Sequence, residues 1–207
     1  MMTETKYQRI GTATRNTKET QIAIKANLDG TGQYDIDTSI GFFDHMLSQL
    51  SKHSLIDLNI KAKGDTHIDF HHLVEDCGYA LGLAFAEALG EKAGIERFGH
   101  AFSPMDETLT RVALDLSGRP YLVYHVTYPT QKLGVFDTEL FKEFYQALAL
   151  GIGANIHIET LYGGNSHHIA ESGFKALARA LKHATRIDPQ AAGQLPSTKG
   201  SLKGAKA

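Results

Sequence analysis

The sequence contains an internal repeat with a spacing of 96 residues. The segment 71–75, His-His-Leu-Val-Glu, matches the segment 167–171, His-His-Ile-Ala-Glu, and apolar positions that follow match at the same offset. Segments nearer the start of each copy align at an offset of 98 residues. A repeat of this length indicates two copies of one structural unit. Two such units, each with one apolar face, are expected to pack face to face.

Each copy is predicted to have the element order β-β-β-α-β-α, which places the chain in the α+β class. Alternating apolar residues mark the strands, turn residues separate them, and apolar residues at helical spacing mark the helices. The predicted strands are 7–14, 20–27, 33–37 and 55–62 in the first copy and 100–105, 108–116, 121–128 and 155–161 in the second. The predicted helices are 42–53, 71–90, 137–150 and 166–186.

The chain divides into two repeat halves and a tail, which together are expected to form one compact domain. The first half is 1–92 and the second is 93–186. In the segment 187–207 Gly, Pro, Ser, Ala and Lys dominate, so we expect a flexible tail in the isolated chain. Such a tail can still contribute to a substrate site if it becomes ordered on binding.

Charge and composition exclude several classes of protein. The formal net charge of −2 is incompatible with the basic field that nucleic-acid-binding proteins carry. The single Cys77 cannot form an intrachain disulfide bond. No apolar run reaches the roughly 18 residues of a membrane span, and the first residues lack the pattern of a signal peptide. We therefore expect a cytoplasmic protein that binds neither nucleic acid nor membranes.

The two His-His pairs predict a metal site. His71 and Glu75 are four residues apart, so they share one face of a helix and can chelate one ion. His72 is rotated by about 100° from His71 and must have a different partner. The second half repeats this spacing. A dipeptide that divides between two ions, once in each half, predicts a dinuclear site with pseudo-twofold symmetry.

The preceding helix of each half offers one further ligand. His45 supplies an imidazole in the first half, and its counterpart in the second half is Glu143. Imidazole with carboxylate suits Mn, Fe, Co, Ni or Zn, and the absence of Cys ligands argues against a structural zinc finger. A single His-His pair is more often a surface or capping feature. Two pairs at matching positions of a repeat favour metal binding instead.

Seven motifs resemble one enzyme family over almost the whole chain. The segments are 41–47 (GFFDHML), 71–76 (HHLVED), 97–99 (RFG), 105–107 (MDE), 115–120 (DLSGRP), 165–168 (NSHH) and 196–200 (PSTKG). In order and spacing they closely resemble imidazoleglycerol-phosphate dehydratases of histidine biosynthesis. The resemblance extends over residues 9–202, and the motifs are long enough that a chance match is remote.

The resemblance implies a fold, an assembly and a cofactor. The fold is a layer of four helices between two mixed four-stranded sheets, of the ribosomal protein S5 domain 2-like type. The assembly is a hollow homo-oligomer of 24 subunits that is completed when Mn binds, with active sites between subunits. The cofactor is two Mn ions per active site, for which other divalent transition metals can substitute.

Motif positions imply which residues bind each ion. One ion would be bound by His45, His72, His167 and Glu171. The other would be bound by His71, Glu75, His168 and Glu143. Many family members have His at the last of these positions, whereas this sequence has Glu143, a residue that also occurs there in the family.

The implied substrate is a small phosphate ester with an imidazole ring and a diol. Dehydration would yield imidazole acetol phosphate and water, through an enol that ketonises. The two ions can stabilise an imidazolate form of the ring, and Arg or Lys donors can bind the phosphate. The residues implied for the phosphate are Arg97, Arg119, Lys175, Ser197 and Lys199. The full set implied to contact substrate adds Glu19, Gln49, His53 and the ligands His45, His71, His72, Glu75, His167, His168 and Glu171.

A carboxylate must act as acid or base near the glycerol chain. The resemblance points to Glu19, with Asp106 as a second candidate. Two other classes of protein remain as alternatives. A dinuclear metallohydrolase usually uses bridging Asp ligands, and no H-x-H-x-D-H run occurs here. A non-enzymatic metal-storage cage would explain the ligands and the assembly, but it would not explain Arg97, Arg119 or the Pro-Ser-Thr-Lys-Gly motif of the tail.

Overall fold

The computed structural model describes residues 9–191 and 193–202. The first half forms one sheet in the strand order β1-β2-β4-β3, with β3 and β4 parallel and the other pairs antiparallel. Two helices accompany it. The elements are β1 (Ile10–Asn16), β2 (Thr20–Asn27), β3 (Tyr34–Asp37), α1 (Gly41–Ser54), β4 (Asp57–Gly64) and α2 (His71–Leu89).

The second half repeats this topology in a sheet of order β5-β6-β10-β7, with β7 and β10 parallel. A short hairpin, β8–β9, is added between β7 and the next helix, and a 3-10 turn follows the last helix. The elements are β5 (Phe98–Met105), β6 (Thr108–Asp115), β7 (Tyr121–His125), β8 (Lys132–Leu133), β9 (Phe136–Asp137), α3 (Leu140–Ile152), β10 (Asn155–Tyr162), α4 (Ser166–Ala184) and the turn Pro189–Ala191.

The four helices lie between the two sheets, as the resemblance implies. Helix α2 packs on β1 and β2, and α4 packs on β5 and β6. Across the halves, α2 packs against α3, and α1 packs against α4. One continuous core joins the two halves, and stacked or tilted aromatic rings at Phe43, Phe136, Phe144 and Phe174 lie within it. The α+β prediction with an internal duplication is therefore confirmed.

Within the described part of the chain, no helix combines the length and the apolar character that crossing a membrane requires.

Two glycines at equivalent repeat positions set the distance between strand and helix. A Cβ atom at Gly11 in β1 would lie 2.0 Å from the carbonyl oxygen of Ala84 in α2. A Cβ atom at Gly99 in β5 would lie 2.0 Å from the carbonyl oxygen of Ala180 in α4. The clash is with backbone, so a larger residue forces the helix away from the sheet.

We therefore expect Gly11→Ala and Gly99→Ala each to lower the free energy of unfolding by about 1–3 kcal/mol, the usual cost of overpacking. Urea unfolding of the metal-free protein would measure this change. Gly41→Ala at the start of α1 is the matched control, since no atom lies within 4 Å of its Cβ position. An unchanged midpoint for Gly11→Ala and Gly99→Ala would contradict the close-approach argument.

Several predicted boundaries need correction. The helix predicted at 137–150 begins at Leu140, because the preceding residues turn at Gly134, with a φ of 62°, and Phe136 is buried in β9. The strand predicted at 121–128 ends at His125. The first strand begins at Ile10, and residues 7 and 8 of its predicted range lie outside the described residues.

The described part of the tail is attached to the second half, in contrast to the flexible segment expected from its composition. Ile187 forms a β-bridge with Ile95, and the Gly94 amide donates to the Gln194 carbonyl at 2.8 Å. Leu202 is buried. Composition did not reveal these contacts because they are backbone hydrogen bonds and one apolar anchor rather than a periodic pattern.

Candidate metal centre and substrate site

The first cluster of predicted ligands lies where α1 packs against α4. His45 Nε2 is 3.2 Å and His167 Nε2 is 3.0 Å from the same carboxylate oxygen, Oε2 of Glu171. The three ligand atoms lie within 4.8 Å of one another. We call this the seam cluster. It brings together three of the four ligands predicted for one ion.

Helix geometry places these side chains. Asn165 caps α4 by accepting from the amides of His167 and His168, so the His-His pair lies in the first turn of the helix. His167 and Glu171 are then four residues apart and share one face, as the sequence predicts. The ring of Phe42 packs edge-on against the ring of His167, with 5.2 Å between centroids.

Lys175 continues this face of α4 by one further turn. Its Nζ lies 2.7 Å from Oε1 of Glu171, while Oε2 faces the two imidazoles. Burial alone raises the pKa of Glu171, but hydrogen bonds from Lys175 and His167, with the charge of Lys175, lower it to about 2. Glu171 is thus a carboxylate at neutral pH and a ready metal ligand.

The facing residues of α1 continue the arrangement. Gln49 and His53 follow His45 at four-residue intervals, and His53 Nε2 lies 3.1 Å from Oε1 of Gln49. Burial, followed by the charge of Lys175, lowers the pKa of His53. The predicted substrate contacts Gln49, His53 and Lys175 therefore lie along the same seam as the cluster.

The donor set of the seam cluster fits a divalent transition metal. Two imidazole nitrogens and one carboxylate oxygen converge, and a first-row ion accepts both ligand types. A fourth ligand is needed for a tetrahedral site and more for an octahedral one. His72, predicted as that fourth ligand, does not join these atoms within the chain.

His72 forms a second group with two carboxylates. Its Nδ1 lies 2.9 Å from Oδ2 of Asp65 and 3.9 Å from Oε2 of Glu19. The hydrogen bond to Asp65 raises the pKa of His72. The structure thus places the predicted acid or base Glu19 beside a predicted ligand. Asp65 was not predicted, since it lies in a loop without periodic pattern.

His168 occupies a matching environment in the second half. Its Nδ1 lies 2.7 Å from Oε2 of Glu107, and its Nε2 lies 3.8 Å from Oδ2 of Asp106. The hydrogen bond from His168 and those from the amides of Gly164 and Asn165 hold the pKa of Glu107 well below its ordinary range. Glu107 was also missed, although it stands beside the predicted Asp106.

The ligands predicted for the second ion are not gathered in one chain. His71 Nε2 and Glu75 Oε2 are 3.7 Å apart on α2, as their spacing predicts. Glu143 lies in the first turn of α3, beside Tyr124 and Tyr128 in a surface cleft of about 520 Å³. Among the described residues, the groups of potential ligand atoms do not include Glu143.

The predicted phosphate ligands fall into two groups. Lys175 belongs to the seam, whereas Arg97 is held between Asp115 and the tail. Its Nε and Nη2 donate to Asp115 at 2.7 and 3.0 Å, and its Nη1 donates to the carbonyl of Pro196 at 2.7 Å. Three of the five guanidinium donors are thereby used, which leaves one on each terminal nitrogen.

Arg119 and Lys199 are more exposed than Arg97, and Ser197 is half-buried. Ser197 Oγ donates to the carbonyl of Ser201 at 3.1 Å, and the Lys199 amide donates back to Ser197 Oγ at 3.2 Å. Lys199 and Arg119 are exposed, and Arg119 lies in the turn between β6 and β7. The structure brings Arg97 and the tail together but does not bring Lys175 into contact with them.

Comparison with known proteins supports the resemblance. A family model described as imidazoleglycerol-phosphate dehydratase matches residues 38–181. The imidazoleglycerol-phosphate dehydratase of Rhodopseudomonas palustris (strain BisB5) is 59% identical over 196 residues, 95% of this chain and 100% of the relative. The enzyme of Ruegeria sp. (strain TM1040) is 58% identical over 194 residues, 94% of this chain and 100% of the relative.

Solved structures agree. The imidazoleglycerol-phosphate dehydratase of Staphylococcus aureus superposes with a TM-score of 0.79 at 39% identity, covering 86% of this chain and 99% of that one. The Pyrococcus furiosus enzyme gives the same TM-score and identity, covering 91% and 99%. The chain therefore belongs to the imidazoleglycerol-phosphate dehydratase family, a family of hydro-lyases that act in histidine biosynthesis.

Proposed function

We propose that this chain dehydrates imidazoleglycerol phosphate to imidazole acetol phosphate. Its histidines and glutamates are proposed to bind divalent transition metal ions, of which Mn²⁺ is the first choice. The seam cluster of His45, His167 and Glu171 carries the proposal. Two imidazole nitrogens converge on one oxygen of an ionised carboxylate, beside a lysine that can bind phosphate. The proposed substrate, imidazoleglycerol phosphate, is taken from the names of the relatives.

Each ion is proposed to take ligands from two subunits. The seam cluster offers three ligands, and His72 lies apart from it with Asp65 and Glu19. In the second half His168 likewise lies apart from His71 and Glu75, with Glu107 as its partner. One histidine of each half is therefore available to a cluster on another copy of the chain. Supporting this reading, His72 and His168 occupy equivalent repeat positions.

The proposed reaction removes hydroxide from the ring-attached carbon and a proton from its neighbour, leaving an enol that ketonises. When bound, the ions act as Lewis acids that stabilise negative charge on the imidazole ring. Glu19 is the proposed group that moves the proton, because its carboxylate is half-exposed and adjacent to His72. Asp106, whose side chain is 80% exposed and lies beside His168, is the alternative.

The remaining residues of the proposed site bind the phosphate. Lys175 offers an ammonium one helical turn beyond Glu171. Arg97 offers its two remaining donors, Arg119 and Lys199 offer exposed donors, and Ser197 offers a half-buried hydroxyl. Because Lys175 has no contact with the other four in one chain, the phosphate site is also proposed to combine two subunits. A large homo-oligomer, of 24 copies by family resemblance, would provide such pairs throughout.

Removal of metal tests the proposed function directly. Protein loaded with Mn²⁺ should convert imidazoleglycerol phosphate and should sediment as a large particle. Complete chelation should abolish turnover and yield much smaller oligomers, because metal binding and association are linked when ligands come from two chains. Mn²⁺ should restore both properties.

Ca²⁺ is the matched control, since it prefers all-oxygen ligands and should not restore activity at an imidazole-rich site. Turnover that persists after complete metal removal would contradict the metal dependence. A sedimentation profile unchanged by chelation would contradict ligands shared between subunits.

A further inference from the structure

Two carboxylates, Asp65 and Glu107, hold His72 and His168 in the same way. Asp65 Oδ2 lies 2.9 Å from Nδ1 of His72. Glu107 Oε2 lies 2.7 Å from Nδ1 of His168. Both contacts use Nδ1, and they leave Nε2 of each ring without a hydrogen bond to these carboxylates. Asp65 and Glu107 come from different loops, one before α2 and one between β5 and β6.

A carboxylate on Nδ1 selects one tautomer of an imidazole. It accepts the Nδ1 proton, so Nε2 keeps its lone pair and can bind a metal. Nε2 is also the nitrogen that His45 and His167 direct at Glu171 in the seam cluster. His45, His72, His167 and His168 therefore all offer Nε2 as the atom available to a metal.

We propose that Asp65 and Glu107 are positioning residues that fix the tautomer and ring orientation of His72 and His168 for metal binding. This inference rests on the proposed function, since it assumes that His72 and His168 bind metal. Neither carboxylate is itself a ligand in this arrangement. Each acts through the histidine that it holds, and its contribution is to metal affinity.

The internal repeat explains why the two halves use different carboxylates. Glu19 and Glu107 occupy equivalent positions, each directly before a buried threonine, Thr20 or Thr108, that begins β2 or β6. Glu107 makes the orienting contact, whereas Glu19 lies 3.9 Å from its histidine. In the first half Asp65 has taken over that contact. Glu19 is thereby free for acid or base chemistry, which its repeat counterpart is not.

Further contacts show that Glu107 is firmly fixed. Its Oε1 accepts from the amides of Gly164 and Asn165 at 3.1 and 2.8 Å and from the Thr108 hydroxyl at 2.9 Å. Only Oε2 faces His168. One carboxylate thus ties the β5–β6 turn to the start of α4 and orients the histidine with its other oxygen.

In an alternative arrangement, Glu19, Asp65 and Nδ1 of His72 bind a cation directly. Their potential ligand atoms lie within 4.8 Å of one another. Such a cation would displace the proton that Nδ1 shares with Asp65 at 2.9 Å. The two arrangements predict different metal stoichiometries, so one titration separates them.

Glu107→Gln is the sharpest variant. The three donors on Oε1 oblige the amide oxygen to stay there, so the amide NH₂ must face His168 and donate to Nδ1. His168 then adopts the other tautomer, with its proton on Nε2. Nε2 must give up this proton before it can bind a metal. Asp65→Ala removes the other contact, although Glu19 can move to replace part of it.

Equilibrium titration with Mn²⁺, followed by the electron paramagnetic resonance signal of the free ion, measures the effect. The wild-type protein should bind two ions per chain. Both variants should still bind two at saturation, one of them about 10- to 100-fold more weakly, as expected when an outer-shell partner is lost. Asp35→Asn is the control, because Asp35 pairs with Lys61 on an exposed face of the first sheet.

Thermal unfolding of the metal-free variants should match that of the wild-type protein, which separates positioning from a structural role. Unchanged Mn²⁺ affinity in both Glu107→Gln and Asp65→Ala would overturn this proposal while leaving the proposed function intact. Loss of one ion at saturation in Asp65→Ala would overturn it in favour of direct ligation. A wild-type protein that binds no Mn²⁺ would overturn the proposed function as well.

Discussion

His72→Asn and His168→Asn are each expected to remove one bound ion per chain and to lower turnover by about a thousandfold or more. Each histidine stands apart from the other proposed ligands of its ion within one chain, so the link that it would make to a second subunit is lost with its imidazole. Losing one ion removes several kcal/mol of charge stabilisation from the reaction, and each 1.36 kcal/mol is a factor of ten in rate.

Metal analysis of the purified variants, together with a dehydration assay, measures both effects. His183→Asn is the matched control, because His183 lies at the exposed far end of α4, where its Nδ1 donates to the His100 carbonyl. The control should keep two ions and normal turnover. Full metal occupancy in both His72→Asn and His168→Asn would remove these residues from the ligand set.

The same variants should also assemble poorly. If His72 completes the seam cluster of another chain, its loss removes a link between subunits as well as a ligand. Sedimentation should then show smaller species at Mn²⁺ concentrations that assemble the wild-type protein. A variant that loses metal but remains fully assembled would show that the ions do not hold the subunits together.

Helical periodicity explains how much of the site could be predicted from the sequence. His167 and Glu171 share a face because they are four residues apart, and the structure places both in the seam cluster. The same rule predicts the 3.7 Å approach of His71 and Glu75. Whether two side chains of one helix share a face depends only on their spacing in the sequence. Such pairs could therefore be predicted from the sequence alone.

The carboxylates Asp65 and Glu107 could not be predicted in this way. Each lies in a loop and reaches a histidine 7 or 61 positions away through the tertiary fold. No periodic pattern marks such a residue, and acidic loop residues are usually solvated. The internal repeat offered one usable signal, namely that Glu107 is the counterpart of Glu19, but this equivalence becomes visible only when the strands β2 and β6 are aligned.

The repeat is also inexact where Glu143 lies. His45 is the fifth residue of α1 and Glu143 is the fourth residue of α3, so the two lie at nearly the same place in their helices although a hairpin precedes α3. The two positions are thus equivalent, and the halves differ there in the side chain, His in one and Glu in the other. Glu143 therefore stays a proposed ligand that would have to meet His71 and Glu75 through the assembly.

The tail is expected to be essential for activity on the phosphate ester. The structure attaches it next to Arg97, whose Nη1 donates to the Pro196 carbonyl, and this places Ser197 and Lys199 near a guanidinium already implied in phosphate binding. Truncation after Gln194 should therefore sharply reduce turnover at low substrate. The hydrogen bond between Gly94 and Gln194 would remain, as would the pairing of Arg97 with Asp115.

Loss of the buried Leu202 in the truncated chain should lower thermal stability only modestly, because a single apolar anchor contributes about 1.5–3 kcal/mol. Metal content and oligomer size should stay normal, since none of the proposed ligands lies beyond residue 194. A truncated protein that loses its metal would instead indicate a general disturbance of the fold, and its activity would then say nothing about phosphate binding.

Comparing Lys199→Ala with the truncation separates the effect of the lysine charge from the effect of losing the rest of the tail. Lys199 is exposed, so its removal should not disturb packing. A charge-assisted hydrogen bond contributes about 1.5–3 kcal/mol, so the point variant should lose roughly ten- to a hundredfold in affinity for the phosphate ester. The truncation should lose more, because Ser197 and the contact between Pro196 and Arg97 are gone too. If the truncated enzyme turns over normally at low substrate, Ser197 and Lys199 do not belong to the substrate site.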